Sequence, residues 1–72
     1  MDYMSDVRYM TERFLIKRGI GVRYFSQEQL ESLLFKVYKN YYGYDMDEEY
    51  AVSDAVHEIV NEYNLTMPRQ HE

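Results

Sequence analysis

The sequence predicts a mainly α-helical fold, a small domain of three helices. Apolar residues recur every three to four positions over most of the chain, and two stretches begin with residues that typically cap helices. With 72 residues the chain has material for one small core. The only proline lies near the end. We therefore expect one helical domain at 1–64 and a flexible C-terminal tail at 65–72.

The middle helix has the clearest signals. Ser26 followed by Gln29 forms a capping-box pattern. Apolar side chains then follow at helical spacing, namely Leu30, Leu33, Leu34, Val37 and Tyr41. We expect a helix over 27–41, ended by Gly43 in a left-handed conformation.

The last helix is predicted over 47–63. Asp45 and Glu48 form a second candidate capping pair, and acidic residues in a first turn complement the positive end of the helix dipole. The expected core face consists of Val52, Ala55, Val56, Ile59, Val60 and Tyr63.

The N-terminal third permits two interpretations. Val7, Met10 and Phe14 fit a helix over 5–18 that Gly19 ends, followed by a short extended link. The alternative is an α+β fold in which a β-hairpin at about 13–25 packs on two helices. We favour the helix and link.

The chain lacks the residues that are typical of several classes of function. The chain has no cysteine and no glycine-rich phosphate loop, and His57 is followed by Asn61 where a zinc protease helix needs a second histidine. We expect no enzyme activity, no metal site and no cofactor. The first residues do not form a signal peptide, and no apolar run approaches the ~20 residues that span a bilayer. We expect a cytoplasmic protein without membrane contact.

Charge is divided unevenly along the chain. Residues 1–39 carry seven basic and five acidic groups, a net of +2, whereas 40–72 carry one basic and eight acidic groups, a net of −7. Such an acidic half repels nucleic acid and attracts basic protein surfaces. We therefore expect a protein partner and no direct binding to nucleic acid.

The last predicted helix carries a row of like charges. Asp54, Glu58 and Glu62 follow at i and i+4, a spacing that costs ~0.2 to 0.5 kcal/mol per pair, and no lysine or arginine occurs between 45 and 64. Tyrosines, which are common at binding hot spots, crowd the start of this helix. The predicted partner-binding residues are Asp45, Asp47, Glu48, Glu49, Tyr50, Asp54, Glu58, Glu62, Tyr42 and Tyr44.

In size, acidity and lack of catalytic motifs, with residues 45–62 as its most acidic part, the chain resembles the small phage-encoded inhibitors that mimic DNA. The resemblance implies competitive blockade of a basic site on a host DNA-binding or defence protein. The alternative function is an adaptor or a homodimeric regulator that docks through an apolar helix face. That face would comprise Leu33, Val37, Tyr41 and Phe35.

Overall fold

The computed structural model describes residues 2–66, and helices account for most of them. The first helix, α1, spans Tyr3–Lys17. Asp2 caps it by accepting a hydrogen bond from the Met4 N–H at 3.1 Å. A Schellman motif ends it, because Gly19 is left-handed (φ +74°) and the Ile20 N–H donates to the Leu15 carbonyl at 2.9 Å. The prediction that Gly19 ends the first helix is confirmed.

The link between the first two helices is not fully extended. Val22–Tyr24 forms a short 3₁₀ turn, and no strand occurs anywhere in residues 2–66. Ile20 and Phe25 are buried on either side of this turn and fix the link to the core. The hairpin alternative is therefore wrong, and the predicted three-helix fold is confirmed.

The second helix, α2, spans Gln27–Tyr38. The predicted capping box is present: the Gln29 N–H donates to Ser26 Oγ at 3.1 Å, and the Ser26 N–H donates to Gln29 Oε1 at 2.9 Å. Its inner face is buried and consists of Leu30, Leu33, Leu34 and Val37.

A π-helical turn, Lys39–Gly43, follows α2 directly. Helical winding thus extends beyond 41, but the α-helix itself ends at Tyr38. Gly43 is not left-handed as predicted; Asp45 has that conformation instead, with φ 62°. The wide turn places Asn40 inside, where its Nδ2 donates to the Ala51 carbonyl at 3.0 Å.

The third helix, α3, spans Glu48–Tyr63. Its N-cap is Asp47, which accepts from the Tyr50 N–H at 2.9 Å, so the predicted capping by Asp45 is wrong. The helix ends at Asn64, a left-handed residue. Leu65, which the sequence analysis assigns to the tail, still packs against the core. Thr66 is exposed, and 67–72 lie outside the described residues.

Helices α2 and α3 run antiparallel. Three contacts show this, because residues later in the second helical segment contact residues earlier in α3. Ser32 and Tyr63 lie 3.3 Å apart at one end. Lys36 and Glu58 are 2.9 Å apart in the middle, and Asn40 and Asp54 are 3.2 Å apart at the other end. Helix α1 packs on both to close the core. None of the helices within 2–66 is both long and apolar enough to cross a membrane.

Candidate functional site

The predicted acidic row lies on one side of α3. Asp47, Tyr50, Asp54, Glu58 and Glu62 come at intervals of three or four residues, and all but the half-buried Asp54 are exposed. We call these five residues the acidic face. It runs along the α2 side of α3, because Asp54 and Glu58 both contact side chains of α2 or the π turn.

The acidic face is not bare, although no lysine or arginine occurs between 45 and 64 of the sequence. Lys36 of α2 lies 2.9 Å from Glu58 Oε1. The hydrogen bond to Glu58 raises the pKa of Lys36, and the charges of Glu62 and Asp54 add to the shift, while burial opposes it. The cation was missed because it comes from another helix and reaches α3 only through packing.

The first turn of α3 is also partly compensated. Arg13 lies 3.5 Å from Glu48, and Arg18 lies 3.6 Å from Glu49. All four side chains are at least 35% exposed, so water screens both pairs and each contributes only ~0 to 1 kcal/mol. Glu48 and Glu49 therefore belong to the contact between α1 and α3 rather than to the acidic face. Asp45 is exposed in the preceding loop.

The structure separates the predicted tyrosines into two groups. Tyr44 and Tyr50 are 68% and 59% exposed; Tyr44 follows the π turn, and Tyr50 lies in the first turn of α3, where its N–H donates to Asp47. Tyr42 instead joins Tyr3, Tyr38 and Tyr41, with ring centroids 4.9 to 5.4 Å from its own. Loss of surrounding water raises the pKa of Tyr42, and the charge of Asp6 adds to this. Tyr42 thus has a structural role in addition to its exposed edge.

A cavity of about 220 Å³ lies between α1 and the first turn of α3, and no sequence pattern predicted it. Met10, Phe14 and Val52 form its apolar floor. Arg13, Lys17 and Arg18 stand around it together with Glu48 and Glu49. Sites for small-molecule ligands usually exceed ~300 Å³, so we assign no ligand to this cavity.

The partial zinc motif at His57 does not gather metal ligands among the described residues. Within residues 2–66, no three histidine, aspartate or glutamate side chains converge in a way that could hold a metal ion. His57 is exposed on α3, and His71 lies outside the described residues.

Comparison with known protein families, with curated proteins and with solved structures finds no match. The acidic face and the exposed side of α2 are therefore the two surfaces from which a function can be inferred.

Proposed function

We propose that this protein is a non-enzymatic inhibitor or regulator that binds the basic, nucleic-acid-binding surface of a partner protein through the acidic face. One observation carries the proposal. Among the described residues, no lysine or arginine nitrogen lies within 4.0 Å of the carboxylates of Asp47, Asp54 or Glu62. The acidic face has four carboxylates, and the ammonium of Lys36 beside it neutralises one of them, so the net charge of this surface is −3.

The spacing of these charges suits a surface that normally holds DNA. Residues four apart on a helix are separated by ~6 Å along its axis, within a factor of two of the ~3.4 Å between phosphates of one DNA strand. Tyr44 and Tyr50 add large, rigid contact surfaces beside the anions. Mimicry of DNA by this helix would exclude nucleic acid from the partner by direct competition.

Affinity capture followed by competition tests the proposal. The immobilised chain is used to capture a partner from cell extract, and duplex DNA is then added to the complex. We expect DNA to displace the captured protein, and affinity to fall steeply as salt is raised, because exposed charges are screened within ~10 Å at 0.1 M salt. A partner that DNA does not displace would contradict DNA mimicry.

A matched pair of variants locates the contact. Glu62→Lys reverses an exposed charge on the acidic face, and Glu28→Lys makes the same change on an exposed position of α2. We expect Glu62→Lys to weaken partner binding by about tenfold, equivalent to ~1.4 kcal/mol, and Glu28→Lys to have little effect. Equal effects of the two variants would show that only net charge matters.

Docking through an apolar helix face, onto a partner or onto a second copy, is the second candidate function. Leu33 and Val37 cannot contribute, since both are fully buried, and Tyr41 is half-buried. Phe35 is the exception because 57% of it is exposed. If Phe35→Ala abolishes partner binding while Glu58→Lys with Glu62→Lys preserves it, this second function replaces the first.

A further inference from the structure

The outward side of α2, continued by the first residue of the π turn, carries one acidic and one basic side chain on either side of a phenylalanine. Glu31, Phe35 and Lys39 follow one another at intervals of four residues, so they form one row on the helix surface. All three are exposed. Among residues 2–66, neither Glu31 nor Lys39 takes part in an ion pair. The row is therefore an acid, a large apolar ring and a base, with the ring in the middle.

The contacts that these side chains make within the chain are weak. Gln27 Nε2 donates to Glu31 Oε2 at 3.0 Å in an exposed hydrogen bond. Lys39 Nζ lies 5.3 Å from the centre of the Phe35 ring, an exposed cation–π contact. Because water competes for all of these groups, exchanging the contacts for others costs little.

The row of acid, ring and base is complementary to a second copy of itself that runs in the opposite direction. We infer that two copies of the chain associate through the outward sides of their α2 helices, packed antiparallel about a twofold axis at Phe35. In that arrangement Phe35 meets Phe35 of the second copy, and Glu31 faces Lys39 of the second copy twice, as an isologous interface requires. Each charged residue is four positions, or ~6 Å, from the axis, so the pairs form on both sides of the rings.

A second copy fits this surface better than an unrelated partner does. A parallel arrangement would place Glu31 on Glu31 and Lys39 on Lys39, which is repulsive, so the charges also select the orientation. Burial of an exposed phenylalanine supplies the apolar contribution, and small single-core domains often gain stability from a second subunit. The inference names the occupant for the second candidate function and does not depend on the acidic face.

Charge reversal across the proposed axis provides the test. Sedimentation equilibrium over a wide range of protein concentration should show a monomer–dimer equilibrium for the wild-type chain. Glu31→Lys places two lysines opposite each other on both sides of the axis, and Lys39→Glu does the same with two glutamates. We expect each single variant to dimerise about tenfold more weakly, or worse, and the double variant E31K/K39E to recover the wild-type dissociation constant.

Mixing the two single variants is the sharpest arm of the experiment. A Glu31→Lys chain carries two lysines in the row and a Lys39→Glu chain carries two glutamates, so the mixture should form a heterodimer although each variant alone is largely monomeric. Glu62→Lys and Arg23→Glu make the same charge changes at exposed positions away from the row and should leave dimerisation unchanged. Far-ultraviolet circular dichroism of each variant checks that the helices remain.

Each possible result either supports or overturns the proposed dimer. A wild-type chain that stays monomeric at every concentration overturns the inference. So does a dimer that tolerates both single reversals, since its interface would then lie elsewhere. Loss of dimerisation in Glu31→Lys together with intact capture of a basic partner would support the inference and leave the proposed role of the acidic face standing. Loss of capture in Glu62→Lys with intact dimerisation would show that the two surfaces act separately.

Discussion

Two polar side chains of the described residues are buried in the core, and they differ in what surrounds them. Asn40 donates to the Ala51 carbonyl and to Asp54. Thr11 is fully buried in α1, and its Oγ1 has no hydrogen-bond partner. A buried polar group without a partner costs free energy, whereas a satisfied one fixes the arrangement of its neighbours. The two positions should therefore respond in opposite ways to apolar substitution.

Thr11→Val should stabilise the protein. The change replaces the unpartnered hydroxyl with a methyl group of similar size, and we expect the free energy of unfolding to rise by about 1 kcal/mol. Thr11→Ser is the matched control, because it keeps the hydroxyl, loses a buried methyl and should lower stability by about 1 kcal/mol. Urea denaturation measures both. A loss of stability in Thr11→Val would mean that the hydroxyl is satisfied in solution.

Asn40→Ala should destabilise the protein by about 1 to 3 kcal/mol, because the Ala51 carbonyl and Asp54 both lose a donor. Asn61→Ala removes the same side chain from an exposed position of α3 and should change stability by less than ~0.5 kcal/mol. Thermal unfolding of the two variants, measured side by side, tests this difference in stability. Similar effects at both positions would count against an anchoring role for Asn40.

At the scale of elements, two glycines near helix ends have different backbone conformations. Gly19 is left-handed with φ +74°, whereas Gly43, in the π turn, is not. A Cβ at either position would meet no atom within 4 Å, so only the backbone distinguishes them. The pair thus separates conformational strain from steric contact.

Gly19→Ala should lower the free energy of unfolding by about 1 to 2 kcal/mol, because an L-residue is strained in the left-handed region. Gly43→Ala should leave stability unchanged or raise it by up to about 1 kcal/mol, since alanine restricts the unfolded chain. Chemical denaturation distinguishes the two. Equal stability of the two variants would contradict a strained, left-handed backbone at position 19.

The Lys36–Glu58 pair joins α2 to α3, and its contribution should depend on pH. A double-mutant cycle with Lys36→Met and Glu58→Gln should give a coupling of about 0.5 kcal/mol at neutral pH and low salt. Since the folded-state pKa of Lys36 is raised above 10.5, the coupling is complete below that pH and is lost as pH rises through the raised pKa. Lys39→Met in place of Lys36→Met should show no coupling to Glu58. A coupling unchanged in alkali would contradict the ion pair.

The helices themselves could be predicted because their signals are local. Capping at Ser26 and the end of the first helix at Gly19 depend on a few adjacent residues, and the structure confirms both. The π turn could not be predicted, because it accompanies hydrogen bonds from Asn40 to a helix eleven or more residues away. The acidic row was visible at i, i+4 spacing, but its cation, Lys36, comes from α2 and required the packing of two helices to be known.

At the scale of the whole molecule, the uneven charge along the sequence produces an uneven distribution of charge along α3. Arg13 of α1 and Arg18, which directly follows α1, lie close to the first turn of α3, so the basic N-terminal third offsets the acidic third helix at one end only. Further along α3, Asp54 and Glu62 keep no basic neighbour within 4.0 Å among the described residues. A basic partner would therefore be attracted towards the middle and C-terminal half of α3.

The exposure of Tyr50 also has a spectroscopic consequence. The chain has nine tyrosines and no tryptophan, so any indole introduced by substitution would be the sole emitter excited at the red edge of the near-ultraviolet band. Tyr50 is 59% exposed on α3, where a larger ring can be accommodated without disturbing the interior. Tyr50→Trp would therefore place a single fluorophore within the acidic face, and its emission maximum would shift to the blue when a bound macromolecule removes water from it.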